Sequence, residues 1–199
     1  MAGSKEPRPF HANTAGLIQP SQPPEPFGTK APPEMPSSTS VNGIRMIEGF
    51  EGFCAKMYND SGGNCSVGYG HLLHIGPCTG KDPSEEPYLN GITQEQAEGL
   101  LKLNVATFEK VIQSVVTVDL NQNQFDALVS FVYNIGAGAF QSSSLLQKLN
   151  AQDYAAVPRE MQEWVYAGGQ KLEGLVIRRQ KEAELFDEPV PAQAAEVGG

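Results

Sequence analysis

Residues Glu51 to Leu73 read EGFCAKMYNDSGGNCSVGYGHLL, a helix end running into a glycine-punctuated segment. Ahead of it, Ile44, Met46, Ile47 and Phe50 recur at helical spacing behind Asn42, a residue able to cap a helix. Gly52 is a natural stop after Glu51. From Lys56 to His74 the helical period vanishes, and Gly62, Gly63, Gly68 and Gly70 break the chain into short pieces that suit hairpins. One carboxylate, Glu51, therefore sits at a helix end. A second, Asp60, follows nine residues on at the start of a hairpin, and the Ser66 hydroxyl comes six residues later on the returning strand. Glycoside hydrolysis uses such a trio: one carboxylic acid protonates the leaving oxygen, and a second carboxylate activates water or attacks from the opposite face. A hydroxyl can position the water. Taken singly the residues are bland, since a Glu at a helix end is ordinarily a solvated charge and an Asp before Ser-Gly-Gly a turn residue.

Helices dominate the rest. Thr93-Gln-Glu-Gln96 has the form of a capping box, and behind it Ala97, Leu100, Leu101, Phe108, Val111, Ile112 and Val115 keep helical spacing. Asn121 can begin another helix, with Phe125, Leu128, Val129, Val132 and Tyr133 on one face and Gly136 at its end. Leu145 to Leu149, Tyr154 to Tyr166 and Leu175 to Phe186 complete a helical lobe. The expected fold class is α+β: a small β-hairpin lobe, a larger α-helical lobe and an intervening cleft where a polymer would lie. Residues 1–41 hold nine of the fifteen prolines and few large apolar side chains, so they read as a disordered leader. The domain is expected at 42–187, with a second loose, acidic tail at 188–199.

The 199 residues carry a net charge of −9, which argues against nucleic acid, because phosphate binding needs clustered Lys and Arg. Part of the acidity is local, at Glu182, Glu184, Asp187, Glu188 and Glu196. No stretch approaches the roughly 18 apolar residues of a membrane span, and the N-terminus lacks the apolar run of a signal peptide. Of three cysteines, Cys65 and Cys78 flank a glycine-rich segment and can pair in an oxidising compartment; in reducing cytosol all three are plain thiols.

The whole string resembles the phage-type lysozyme family. Its signature is a Glu, eight residues, an Asp, five residues and a Thr, followed by a Gly-x-Gly-His-Leu turn; Glu51, Asp60 and Gly68-Tyr-Gly-His-Leu72 fit without a gap. The resemblance continues through Asn123 to Gly136, Gly138 to Phe140, Ser142 to Leu146, Trp164, and Gly174 to Arg179. It implies Glu51 as general acid, Asp60 as the carboxylate that orients the nucleophilic water, and Ser66 as that water's second partner, a serine where the family usually has Thr. The same register implies Leu72, Tyr133 and Ser143 in the saccharide subsites; Tyr133 reads equally as a core aromatic. It further implies a muramidase that needs no cofactor and cleaves the β-1,4 bond between N-acetylmuramic acid and N-acetylglucosamine. Inversion at the anomeric carbon, which that family usually shows, requires carboxylates about 6.5–9.5 Å apart.

Competing readings remain at this point. Glu48, one helical turn before Glu51, is a rival acid. His71 reads as a structural hydrogen-bonding residue, Trp164 as core, and Arg178 and Arg179 as supports of the helical lobe or contacts to the wall polymer. Cys65, His71, His74 and Cys78 form a soft-ligand set that could hold zinc, although it lacks a paired Cys-x-x-Cys. Cys54 reads as a buried thiol or a redox switch. In function, the rival is a non-catalytic peptidoglycan-binding module that keeps the cleft. The expected partner is the peptidoglycan glycan strand, bound by a monomer, with neither nucleic acid nor a membrane span involved. A lysin released from the cytoplasm through a holin and a toxin delivered to the periplasm by a secretion machine both fit; the latter would bring an immunity or inhibitor protein.

Overall fold

The computed structural model describes residues 31–190. The first helix, α1 (Val41–Glu51), ends where Gly52, at φ 72°, turns the chain into β1 (Cys54–Asn59), β2 (Cys65–Gly68) and β3 (His71–His74). These strands form one antiparallel sheet in the order β1-β2-β3. A 3-10 helix at Pro83–Tyr88 then leads to the long α2 (Gln94–Val115), followed by α3 (Gln122–Ile135), α4 (Ala137–Gln141) and α5 (Ser144–Asn150). After a 3-10 turn at Tyr154–Ala156 come α6 (Val157–Gln162), the two-residue strands β4 (Tyr166–Ala167) and β5 (Gln170–Lys171), and α7 (Glu173–Asp187). The architecture is α+β, a small sheet beside a larger helical portion.

Local chemistry explains the boundaries. Capping boxes at Thr93/Gln96 and Asn121/Gln124 satisfy the free N–H groups that open α2 and α3. Every residue of α3 from Phe125 to Val132 is buried, as expected of a helix surrounded by others. Around it pack Ile47, Leu101, Ile112, Phe140, Leu145, Leu149 and Met161. Burial of each such side chain stabilises by about 1.5–3 kcal/mol.

Two sequence expectations need correction. The packed body begins before residue 42, and the cap of α1 is Ser40 rather than Asn42: Ser40 Oγ accepts from the Gly43 N–H at 3.2 Å and donates to Asp126 Oδ2. Upstream, the Leu120 N–H donates to the Glu34 carbonyl at 2.9 Å, and Thr39 donates through both its N–H and its hydroxyl to Glu109 at 2.7 Å. Gln113 and Gln122 side chains cover the carbonyls of Pro36, Ser37 and Ser38. Composition hid this, because polar side chains of α2 and α3 hold the segment, with Met35 the apolar residue packed on the core. The leader reading for 1–30 and the tail reading for 191–199 lie outside the described residues. Ser40→Ala should lower stability by about 0.5–2 kcal/mol, the usual worth of such a cap, measured by denaturant unfolding. An unchanged midpoint would contradict the anchoring role.

The second correction concerns Tyr154 to Tyr166, expected as one helix. The chain instead makes a short turn, the six-residue α6, and a hairpin whose two-residue loop is Gly168-Gly169, at φ 58° and 77°. Positive φ at both loop positions matches the twist of the strands, and only glycine adopts it freely. Among the cysteines, Cys65 and Cys78 are joined by a disulfide, their Cα atoms 4.7 Å apart, and Cys54 is a free thiol.

Candidate active site

Glu51 is the last residue of α1, and its side chain keeps 24% of its surface exposed. Arg178 Nη1 of α7 donates to Glu51 Oε1 at 2.7 Å. That guanidinium is itself fixed: Nε donates to Glu182 Oε1 at 3.1 Å, Nη2 to the Ser130 carbonyl at 3.1 Å, and its carbon stands 4.8 Å over the Phe50 ring. With Arg178 only 5% exposed, the contact to Glu51 is a directed one and not a loose surface pair. Glu51 and Arg178, with Phe50, Asn134, Leu172 and Leu175, line a cavity of about 390 Å³.

Asp60 opens the turn between β1 and β2. Its Oδ1 accepts from the N–H groups of Gly62 at 2.8 Å and Asn64 at 2.9 Å. The Ser66 hydroxyl on β2 lies 3.4 Å from Oδ2. The Asn64 N–H, then Gly62 and Ser66, hold the Asp60 carboxyl below its ordinary range despite some desolvation. Asp60 is thus an anion with one oxygen tied to backbone and the other beside a hydroxyl.

Tyr133 of α3 donates to the Tyr69 carbonyl at 3.3 Å and meets Phe108 edge-on, ring centroids 5.3 Å apart. Burial, with the Glu51 charge second, pushes its hydroxyl up to about 12. It still reaches the surface as a wall of a cavity of about 380 Å³, shared with Gly70, Leu72, Asn104, Thr107 and Phe108. Leu72 stands 49% exposed there. Tyr133 thus both packs on the core and borders this cavity.

Other candidates fall elsewhere. Ser143 is 5% exposed and serves as the cap of α5, its hydroxyl donating to the Phe140 carbonyl at 2.7 Å and accepting from Leu146 N–H at 3.1 Å. Neither cavity includes it, so the structure does not bring it to Tyr133 and Leu72. Glu48 lines a different cavity, with Ile44, Arg45, Glu98 and Lys102; burial and then Glu98 raise its pKa. His71 Nδ1 lies 3.0 Å from Asn104 Oδ1 and ties the sheet to α2. Trp164 packs edge-on against Phe131, centroids 5.9 Å apart. A larger cavity, about 690 Å³, opens beside α6, the second hairpin and α7, but it contains none of Glu51, Asp60 or Ser66. Sequence reasoning missed Asn104, Thr107 and Asn134 as cavity walls; the sole signal was a polar Asn104 one turn before Phe108 on an otherwise apolar helix face.

Comparison with known proteins places the chain in a family and a fold. A family model described as phage lysozyme matches residues 48–182. The chain is 40% identical over 154 residues to an endolysin of Bacillus phage PZA, covering 76% of this chain and 56% of that protein. It therefore spans about half the length of that relative. An endolysin of Salmonella phage P22 is 39% identical over 148 residues, which cover 74% of this chain and 96% of that one. Among solved structures, the muramidase domain of SpmX from Asticaccaulis excentricus superposes with a TM-score of 0.65 at 31% identity, covering 76% of this chain and 99% of that one. A P22 lysozyme mutant superposes at 0.64 and 36% identity, covering 75% and 97%.

Proposed function

The chain belongs to the phage lysozyme family, and on that premise we propose that it hydrolyses the β-1,4 bond between N-acetylmuramic acid and N-acetylglucosamine in peptidoglycan. The observation that carries this reading is the Asp60–Ser66 pair. A carboxylate held ionised by two backbone N–H groups presents its second oxygen next to a hydroxyl, 3.4 Å away. A water bridging Oδ2 and Oγ would have one group to take its proton and another to fix its direction. Glu51, on the opposite element, supplies the acid. Because Arg178 donates to Oε1, a proton carried by Glu51 belongs on Oε2, the oxygen left free for the glycosidic oxygen.

In the proposed reaction Glu51 Oε2 gives its proton to the leaving oxygen as the C1–O bond breaks. Asp60 takes a proton from the water as the water oxygen bonds to C1 from the other face, which inverts the anomeric centre. Positive charge that develops on the ring is offset by the Asp60 carboxylate. Tyr133 and Leu72 would pack against the faces of neighbouring sugars.

The biological setting follows the same premise. Relatives are named endolysins and, in part, SAR-endolysins, and no helix among the described residues is long and apolar enough to cross a membrane. Release onto the wall by a lysis system or delivery as an antibacterial toxin both use this chemistry. An exported inhibitor that covers the Tyr133 cavity would favour delivery.

Asp60 gives the test. Since its carboxyl is held low, kcat/KM on soluble glycan should keep its acid limb below the ordinary aspartate value of about 3.9, activity falling only as pH drops through the depressed pKa. Ser66→Ala should lower the rate with a smaller effect than either carboxylate change, and Ser66→Thr should preserve it. A limb well above that value, or a silent Ser66→Ala, would contradict the water-positioning pair.

A further inference from the structure

Where β2, β3 and the first 3-10 helix meet, three side chains converge that the proposed hydrolysis does not use. Cys65 of β2, His74 at the end of β3 and Glu85 in the first 3-10 helix bring a sulfur, an imidazole nitrogen and a carboxylate oxygen within 4.8 Å of one another. Cys65 and Glu85 are completely buried, and Cys78 is bonded to Cys65 beside this group.

Glu85 is the unusual member. A buried carboxylate needs compensation, and this one receives the N–H groups of Thr79, at 2.9 Å, and Gly80. Its Oε1 also lies 2.7 Å from His74 Nε2. His74 Nδ1, in turn, lies 3.1 Å from the Ile75 carbonyl. Both ring nitrogens thus face oxygens that only accept. The ring as found donates from Nδ1 to the Ile75 carbonyl and from Nε2 to the Glu85 carboxylate, a His–Glu ion pair. Metal-binding histidines are oriented in this way, the far nitrogen donating to a carbonyl while ligating carboxylates are held by further hydrogen bonds. A cation in place of the proton between Nε2 and Oε1 satisfies both.

We propose that, once the Cys65–Cys78 bond is reduced, Cys65, Cys78, His74 and Glu85 form a tetrahedral zinc site. Two thiolates, an imidazole and a carboxylate suit this borderline-soft ion. His71 is not part of the set, because it lies outside the group that converges on Cys65. The chemistry balances. Two molecules of a small thiol give two electrons and two protons, becoming one disulfide, while the protein bond becomes two thiols. Zinc then displaces both thiol protons as two Zn–S bonds form. Oxidation by a disulfide-forming oxidant takes two electrons from the thiolates, re-forms the S–S bond and releases the ion. The loop of residues 75–88 and strand β2, which carries Ser66 next to Cys65, are clamped in both states: by zinc where thiols are reduced, by the disulfide where they are not.

The test uses the full chain, reduced with a phosphine under anaerobic conditions and dialysed against zinc, with cobalt as the spectroscopic substitute. The reduced protein should retain equimolar zinc by elemental analysis and lose it on oxidation. Cobalt should show thiolate charge-transfer and tetrahedral visible bands. His74→Ala and Glu85→Gln should each weaken zinc in chelator competition by at least the roughly 10–100-fold that loss of an outer-shell partner brings, and His71→Ala should leave it unchanged. Absence of stoichiometric zinc, an octahedral cobalt spectrum, or His74→Ala binding as tightly as the parent would overturn the proposal. If Glu85→Gln fails to fold by circular dichroism, the cobalt spectrum of the unsubstituted chain and the His74→Ala titration decide.

Discussion

Glu51→Gln is expected to reduce initial rates on purified sacculi by about 10²–10⁴ while sparing both fold and substrate binding. The amide keeps the shape of the side chain and can still accept from Arg178 Nη1, so the 2.7 Å contact that orients it survives. What it cannot do is deliver a proton from the position of Oε2. Glu48→Gln is the control, because Glu48 borders a separate cavity with Glu98 and Lys102 and should be nearly silent. Rates, pull-down on insoluble wall and circular dichroism together check the claim. Loss of activity in Glu48→Gln with full activity in Glu51→Gln would show that the acid has been misassigned.

The second large effect belongs to stability. Glu182→Ala should destabilise the protein by about 3–5 kcal/mol, because it removes the anion from a cluster that keeps two guanidinium groups buried. Arg179 and Glu182 are both completely buried, and Arg178 nearly so. Arg179 Nε lies 2.9 Å from Glu182 Oε2, but its N–H is not aimed at that oxygen, so the contact is an ion pair without a hydrogen bond. Burial pulls Arg179 down to about 10 against the pull of Glu182, and burial pushes Glu182 up against both arginines. Without the carboxylate, Arg178 and Arg179 repel each other in a dry environment, and the Ser130 hydroxyl loses its 2.7 Å acceptor. In a protein of this size the loss corresponds to roughly 6–20 °C in melting temperature, read by calorimetry. Glu184→Gln, on the exposed face of the same helix, should change it little. A Glu182→Ala variant that melts with the parent would mean the arginines find other compensation.

The two substitutions probe one structure from opposite ends. Glu182 and the Ser130 carbonyl anchor Arg178, and Arg178 aims Glu51. Disturbing Glu182 should therefore lower activity beyond what the loss of folded protein explains.

How much of this was legible in the sequence depended on distance along the chain. Glu51, Asp60 and Ser66 lie within sixteen positions of one another, and their places at a helix end, a turn and a returning strand follow from strong local signals. The starts of α2 and α3 were equally plain, since a capping box is a contact between residues three apart. Arg178 was a different matter. It meets Glu51 across 127 positions, and no periodicity connects the two. Residues 34–40 were misread for a related reason: their anchors, Glu109, Asp126 and Asp119, are polar residues far along the chain, invisible to a composition argument. Glu85, in the stretch Pro83-Ser-Glu-Glu-Pro87, looks like surface and is buried, because its partners Thr79, Gly80 and His74 assemble only when the loop closes. The Gly168-Gly169 hairpin, by contrast, carries a local signal in its two glycines, whereas the helical reading of this stretch holds only from Val157, with Pro158 in the first turn, to Gln162.

The most direct test of the central claim is the chemistry of the ends that the enzyme leaves. Purified sacculi digested by the full chain, then analysed by mass spectrometry before and after borohydride reduction, should give muropeptides with N-acetylmuramic acid at a reducible end, in its hydrated form. Fragments that end in N-acetylglucosamine, fragments that carry a 1,6-anhydro ring, or intact glycan strands with cut peptides would contradict a water-using muramidase built on Glu51 and Asp60.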